Sequence, residues 1–111
     1  MRARTIRFNP WQGSERRAFR RLEAELPARV WVDGQEFACQ TSDISLGGAM
    51  VDGSFPARNG STIELELEGL PALAGLVVHA GTTFLGVEFS ISHEERQRLA
   101  NWIEQRLLQR S

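Results

Sequence analysis

The chain has no lysine and a single cysteine, Cys39, and its only histidines are His79 and His93. One cysteine excludes an internal disulfide and fits a reducing compartment. Two histidines without a second cysteine leave no group from which a structural metal site is built. No apolar run reaches the ~18 residues that a membrane helix needs. The N-terminal arginines are not followed by the apolar segment of a secretory signal. The expectation is a cytoplasmic chain with no membrane span. Also missing are a nucleophile–base pair, a Walker-type phosphate loop, internal repeats and low-complexity tracts. The chain is therefore expected not to be an enzyme, with no catalytic residues, no metal and no cofactor.

The absence of lysine has a second consequence. All 13 basic residues are arginine, so an arginine at any one position reflects composition and only clustering carries information. The clustering is strong. Residues 1–21 hold seven arginines and one acid, Glu15, for a charge of +6, whereas residues 22–111 carry −7. The near-neutral total of −1 thus conceals a basic arm on an acidic body, a design suited to capturing an anion. The plainer alternative is that the arm neutralises the body it lies on.

A length of 111 residues fits one domain with a real core. Residues 1–15 read as an irregular, flexible N-terminal arm, because Asn9-Pro10 and Gly13-Ser14 are loop signals and no hydrophobic period holds there. Trp11 in that arm reads first as a packing residue and second as a contact with a partner or another subunit.

Residues 16–111 read as the folded domain. Ile63, Leu65 and Leu67 alternate with Glu64, Glu66 and Glu68, the period-2 signature of a half-buried strand with a wet face. Val30 and Val32 alternate with Arg29 and Trp31. Phe37, Cys39 and Thr41 follow across Asp33-Gly34, a hairpin turn. Ala49 to Val51, Leu73 to Ala80 and Thr83 to Phe89 complete six short strands. That pattern predicts a mainly β fold, a six-stranded antiparallel, Greek-key-like barrel, since closure removes unprotected edges. At the C-terminus the period changes. Ser92-His93-Glu94-Glu95 is a capping box, and Leu99, Trp102, Ile103, Leu107 and Leu108 then recur at helical spacing. This predicts a C-terminal α-helix packed on the barrel.

Two stretches carry chemistry. Arg16-Arg17-Ala18-Phe19-Arg20-Arg21 offers four guanidiniums, and a spacing of four puts Arg17 and Arg21 on one side of either a helical turn or a strand. Asp43-Ile44-Ser45-Leu46-Gly47-Gly48 offers a carboxylate, a hydroxyl and two glycines. By itself the second stretch is ordinary turn chemistry, and the first is a solvated charge run. Together they supply cations for phosphate, an acceptor and a donor for a base edge, and backbone that a flat ligand can approach. The carboxylate of Asp43 can accept from the N1–H and N2–H2 edge of guanine, which adenine lacks.

Arg-x-x-x-Arg followed by Asp-x-Ser-x-x-Gly resembles the PilZ domain, a bacterial receptor module for the second messenger cyclic di-GMP. Arg17 and Arg21 match the first element and Asp43, Ser45 and Gly48 the second. Arg16 and Arg20 share the same spacing, but Phe19 stands two residues before Arg21, where family members often carry an aromatic. Gly86-Val87-Glu88-Phe89 looks like the family's closing strand, and the resemblance covers about residues 15–110. It implies cyclic di-GMP binding by Arg16, Arg17, Arg21, Asp43, Ser45 and Gly48, with Arg20, Gly47 and His79 adjacent to the ligand. Arginine at the position of Arg16 goes, in the family, with an intercalated pair of ligand molecules. His79 departs from the pattern, since relatives often have tryptophan there.

The function expected is a receptor or adaptor in which cyclic di-GMP orders the arginine-rich arm over the barrel and alters a surface offered to a downstream protein partner. The resemblance also implies a monomer or weak dimer. Two alternatives stand beside it. A PilZ-like adaptor acting without nucleotide is disfavoured by the retained arginines. A nucleic-acid-binding barrel is disfavoured by the acidic body, so no DNA or RNA partner is expected.

Overall fold

The computed structural model describes residues 4–6 and 21–108. Among them are β1 (Arg4–Ile6), β2 (Arg21–Glu23), β3 (Pro27–Val32), β4 (Gln35–Ile44), β5 (Gly48–Asp52), β6 (Thr62–Leu67), β7 (Leu73–Ala80), β8 (Phe84–Phe89) and the helix α1 (His93–Ile103), extended by a π-helical turn, Glu104–Leu108.

The β3–β4 hairpin forms where Asp33-Gly34 predicts it. Both residues adopt positive φ, 50° and 80°, which matches the twist of the flanking strands. From there β3 pairs with β6, β6 with β7, β7 with β8 and β8 with β5, and β5 returns to β4. The result is the expected closed barrel of six antiparallel strands, β3 to β8. The connection from β5 to β6 crosses one end of the barrel, because β5 lies beside β4 whereas β6 lies beyond β3. Its return is fixed by Gly60 N–H donating to the Val77 carbonyl (2.7 Å) and by Asn59 Oδ1 accepting from Ala80 N–H (2.8 Å).

The core follows the period-2 pattern. Val30, Ile44, Ala49, Val51, Leu65, Val77, Leu85 and Val87 meet inside the barrel and are essentially inaccessible to solvent. Leu99, Trp102, Ile103 and Leu107 bury one face of the C-terminal segment in the same cluster. The helix starts at the predicted capping box: Ser92 Oγ accepts from Glu95 N–H at 3.1 Å, and Glu95 Oε1 accepts from Ser92 N–H at 2.9 Å. Near its other end, Trp102 Nε1 donates to the Glu68 carbonyl (3.0 Å), tying the helix to the β6–β7 loop.

One expectation needs correcting. Arg4–Ile6, assigned above to an irregular arm, forms β1 and pairs antiparallel with β2, Arg4 opposite Glu23 and Ile6 opposite Arg21. The cause is an edge. Beyond its pairing with β3, β4 leaves a ladder edge open; β2 occupies it, and β1 then satisfies the outer edge of β2. Hydrophobic alternation does not reveal so short an edge strand. Trp11, Arg16, Arg17 and Arg20 lie outside the described residues.

Candidate functional site

Strict alternation along β4 would place Asp43 on the same side as Thr41, inside the barrel. The structure interrupts the alternation. Thr41 pairs with Val51, but Asp43 pairs with Met50 and Ile44 with Ala49, so Ser42 is the extra residue of a bulge. Ile44 takes the inward place, and Asp43 moves to the outer face beside Met50. A second bulge, at Val78, does the same in β7. Val77 faces the core opposite Val87, whereas His79 pairs with Gly86 and projects outward. Met50 also pairs with Gly86. Two bulges on two strands therefore align Asp43, Met50, Gly86 and His79 in one row on the outside of the wall. At ~4.8 Å per strand the row spans about 14 Å. It runs from a carboxylate to an aromatic ring over a position without a side chain.

At the row's aromatic end, His79 stacks on Phe84, with ring centroids 4.9 Å apart and planes 20° from parallel. His79 remains exposed, so one face of this pair is accessible. At the acidic end, Asp43 is only 7% exposed although it sits on the outer face. Its neighbour across the β2–β4 ladder is Glu23. Two carboxylates directly opposite each other repel, and the place favours a guanidinium beside them.

The 45–48 turn shows why its residue types are required. Ser45 N–H donates to the Gly48 carbonyl at 2.8 Å, and Ser45 Oγ accepts from the amides of Gly47 (3.1 Å) and Gly48 (3.2 Å). Ser45 is 1% exposed. Its hydroxyl therefore holds the turn together, the turn role expected of a serine here. Gly48 is required by packing. A Cβ there would overlap the carbonyl oxygen of Val87, so the missing side chain admits β8. Gly47 is buried, and its carbonyl accepts from Phe89 N–H at 2.8 Å.

The last residue of the first motif, Arg21, is brought to the second by β2. Leu22 pairs with Ile44 and Glu23 with Asp43, which sets the backbone of Arg21 at the end of β2 nearest Ser45. Thus the final arginine of the cluster and the Asp43–Gly48 segment, 22 positions apart in sequence, are adjacent in space.

Sequence reasoning missed three residues here. Met50 lies between Asp43 and Gly86 in the row. Phe84 supports His79. Arg96 reaches from α1 to donate through Nη1 to the Leu46 carbonyl at 3.2 Å. Only Arg96 left a trace in the sequence, being a cation in the opening turns of a helix, the end where the dipole disfavours it.

A groove of about 580 Å³ lies elsewhere, among Pro27, Cys39, Glu66, Glu68 and Leu70, and shares no residue with the motif. Its one guanidinium, Arg29, is already paired with Glu36 and Glu66, and the carboxylates of Glu66 and Glu68 make the groove unsuited to a phosphate. The Cys39 thiol within it is pushed up to about 11 by burial and, secondarily, by the charge of Asp52, so it is a poor nucleophile at neutral pH. Among the described residues no His, Cys, Asp and Glu side chains are grouped to hold a metal ion, and no helix is long and apolar enough to cross a membrane.

An outward row of acid and aromatic on a small closed barrel is met by an arginine-bearing strand. The PilZ domain model matches residues 15–105, and the chain belongs to that family. Its fold is similar to the PilZ domain of CeSA from a cellulose-synthesizing bacterium, at 23% identity and TM-score 0.64, covering 76% of this chain and 97% of that one. It is also similar to the Bacillus subtilis inhibitor of motility MotI/DgrA, at 19% identity and TM-score 0.66, covering 82% of this chain and 50% of that one. A third similar structure is PlzA of Borreliella burgdorferi in complex with c-di-GMP, at 21% identity and TM-score 0.54, covering 68% of this chain and 31% of that one. No curated protein matches the chain.

Proposed function

We propose that this chain is a receptor for cyclic di-GMP that acts on a protein partner and not as an enzyme. The observation that carries this reading is the β2–β4 pairing, which sets Arg21 beside the segment bearing Asp43, Ser45 and Gly48. Membership of the PilZ family supports it, as does the solved PlzA complex with c-di-GMP.

In this reading Arg17 and Arg21 bridge the phosphates and stack on guanine faces, because a planar guanidinium does both. Asp43 accepts from the N1–H and N2–H2 edge of guanine. Ser45, Gly47 and Gly48 act by shaping the turn that follows Asp43 at the end of β4. The exposed face of His79, backed by Phe84, offers a ring to a purine at the far end of the row. Arg16 adds the charge that a second, intercalated ligand requires, and Arg20 adds to the same field. Closure of the arm over the outer wall then changes the surface presented to the partner.

Calorimetry tests this directly. The wild-type chain binds cyclic di-GMP, and binding weakens as salt rises through screening. Arg21→Ala removes charge-assisted hydrogen bonds and lowers affinity about 10- to 150-fold. Arg16→Ala reduces the stoichiometry from two molecules per chain to one. Undiminished affinity in Arg21→Ala removes that residue from the site, and a wild-type chain that takes up no ligand rejects the receptor reading.

A further inference from the structure

Arg96 stands four residues beyond the N-cap Ser92. A cation there opposes the helix dipole, so its placement calls for another reason. Its neighbour Arg98 is exposed, whereas Arg96 is partly buried and its Nη1 donates to the carbonyl of Leu46 at 3.2 Å. Leu46 is the middle of the 45–48 turn. The Gly48 carbonyl accepts from Ser45 N–H at 2.8 Å and from Ser45 Oγ at 3.5 Å, and the Gly47 carbonyl from Phe89 N–H at 2.8 Å. The Leu46 carbonyl is held instead by a side chain that approaches from another element. That element is itself fixed at its start, since the capping box locks Ser92 to Glu95 and Arg96 N–H donates to the Ser92 carbonyl at 2.9 Å.

We infer that Arg96 is a positioning residue for the 45–48 turn, transmitting the placement of helix α1 to the turn that follows Asp43 at the end of β4. Its ligand-binding consequence rests on the cyclic di-GMP reading; its structural consequence does not. The physical basis is that β4, which carries Asp43, runs directly into this turn, so a displaced turn disturbs the strand end beside Asp43. The backbone bonds to the Gly47 and Gly48 carbonyls cannot be altered by substitution; the Ser45 hydroxyl holds the turn from within, and the Arg96 guanidinium holds it from another element. Because binding and positioning are linked, ligand held at the turn must also favour the docked position of α1.

The test uses the full chain and two measurements. Amide hydrogen exchange is followed without ligand, and cyclic di-GMP affinity is measured by calorimetry, for the wild type, Arg96→Ala, Arg96→Lys and Arg98→Ala. In Arg96→Ala the amides of Gly47 and Gly48 exchange about ten-fold faster while those of Val30 and Leu65 keep their wild-type rates, and affinity falls roughly ten-fold. Arg96→Lys keeps a donor and recovers part of both losses. Arg98→Ala matches the wild type in both. The inference is overturned if Arg96→Ala leaves the turn amides unchanged, or if it speeds the core amides by the same factor, which is general destabilisation. A wild-type chain that takes up no cyclic di-GMP rejects the receptor reading instead, and the exchange measurement still decides the role of Arg96.

Discussion

In the β3–β6 wall the register runs without interruption from Ala28 opposite Leu67 to Trp31 opposite Glu64. Side chains there keep the faces that alternation assigns them. The outward residues satisfy one another: Arg29 pairs with Glu36 at 3.0 Å and Glu66 at 3.8 Å, and Trp31 Nε1 donates to Glu66. In the wall formed by β4, β5, β8 and β7 the register breaks twice, at Ser42 and Val78. Each break turns a polar residue outward, Asp43 in one case and His79 in the other. A regular ladder forms one side of the barrel, and an irregular ladder on the other turns Asp43 and His79 outward. Both walls carry acids, but only on the irregular side is a carboxylate on the outer face nearly covered.

The contrast can be broken by substitution. The largest effect is expected at Gly48, where the bulged wall is tightest. Gly48→Ala places a methyl group against the Val87 carbonyl and should cost about 3 kcal/mol, read as a lowered midpoint in urea unfolding. The matching change on the regular side, Gly34→Ala, meets no atom within 4 Å. It should cost only the strain of a positive φ, about 1 kcal/mol. Equal costs at the two glycines would mean that β8 does not press on the turn.

Helix capping comes next. Ser92→Ala removes the N-cap acceptor and should lower stability by about 1 kcal/mol in the same assay. The Glu95 carboxyl lies below its ordinary range because it accepts from the Ser92 amide and hydroxyl. Its contribution is present above the ordinary carboxylate pKa and fades as pH falls through the lowered value. An acid titration of Glu95→Gln should lack that part of the decline.

The Cys39 thiol sharpens the comparison at high pH. Burial keeps the thiol protonated in the fold up to about 11, against 9.0 for the free group. The folded state then holds more protons than the unfolded one between these values, so stability falls as pH rises from about 9 to 11. The chain has no tyrosine and no lysine to titrate in that interval, so Cys39→Ala should flatten the slope almost completely. The smallest effect is expected on the wet face. Arg29→Ala breaks two exposed pairs and should change stability by about 0.5 kcal/mol or less. A larger loss would show that the regular wall also depends on specific polar contacts.

Much of the fold was legible in the sequence. All six barrel strands and the capped helix lie where period, turn pair and capping box put them, because burial of alternate side chains is a local property of a strand. Asp43, Ser45 and Gly48 were legible as a group, but their separate tasks were not. Whether a serine hydroxyl closes its own turn or meets a ligand depends on distances that residue spacing leaves open. The close contact between Gly48 and Val87 joins positions 39 apart in sequence. Edge strands β1 and β2 escaped notice because three residues contain too little alternation to register.

The amino-acid order by itself determined a small closed β-barrel with a helix at its end, the concentration of arginine in the first 21 residues, and the residue types available for an anion. Which side of the wall Asp43 and His79 occupy was decided only in three dimensions. A bulge shifts the pairing by one residue, that shift exchanges inside for outside, and its position depends on the partner strand that closes the barrel.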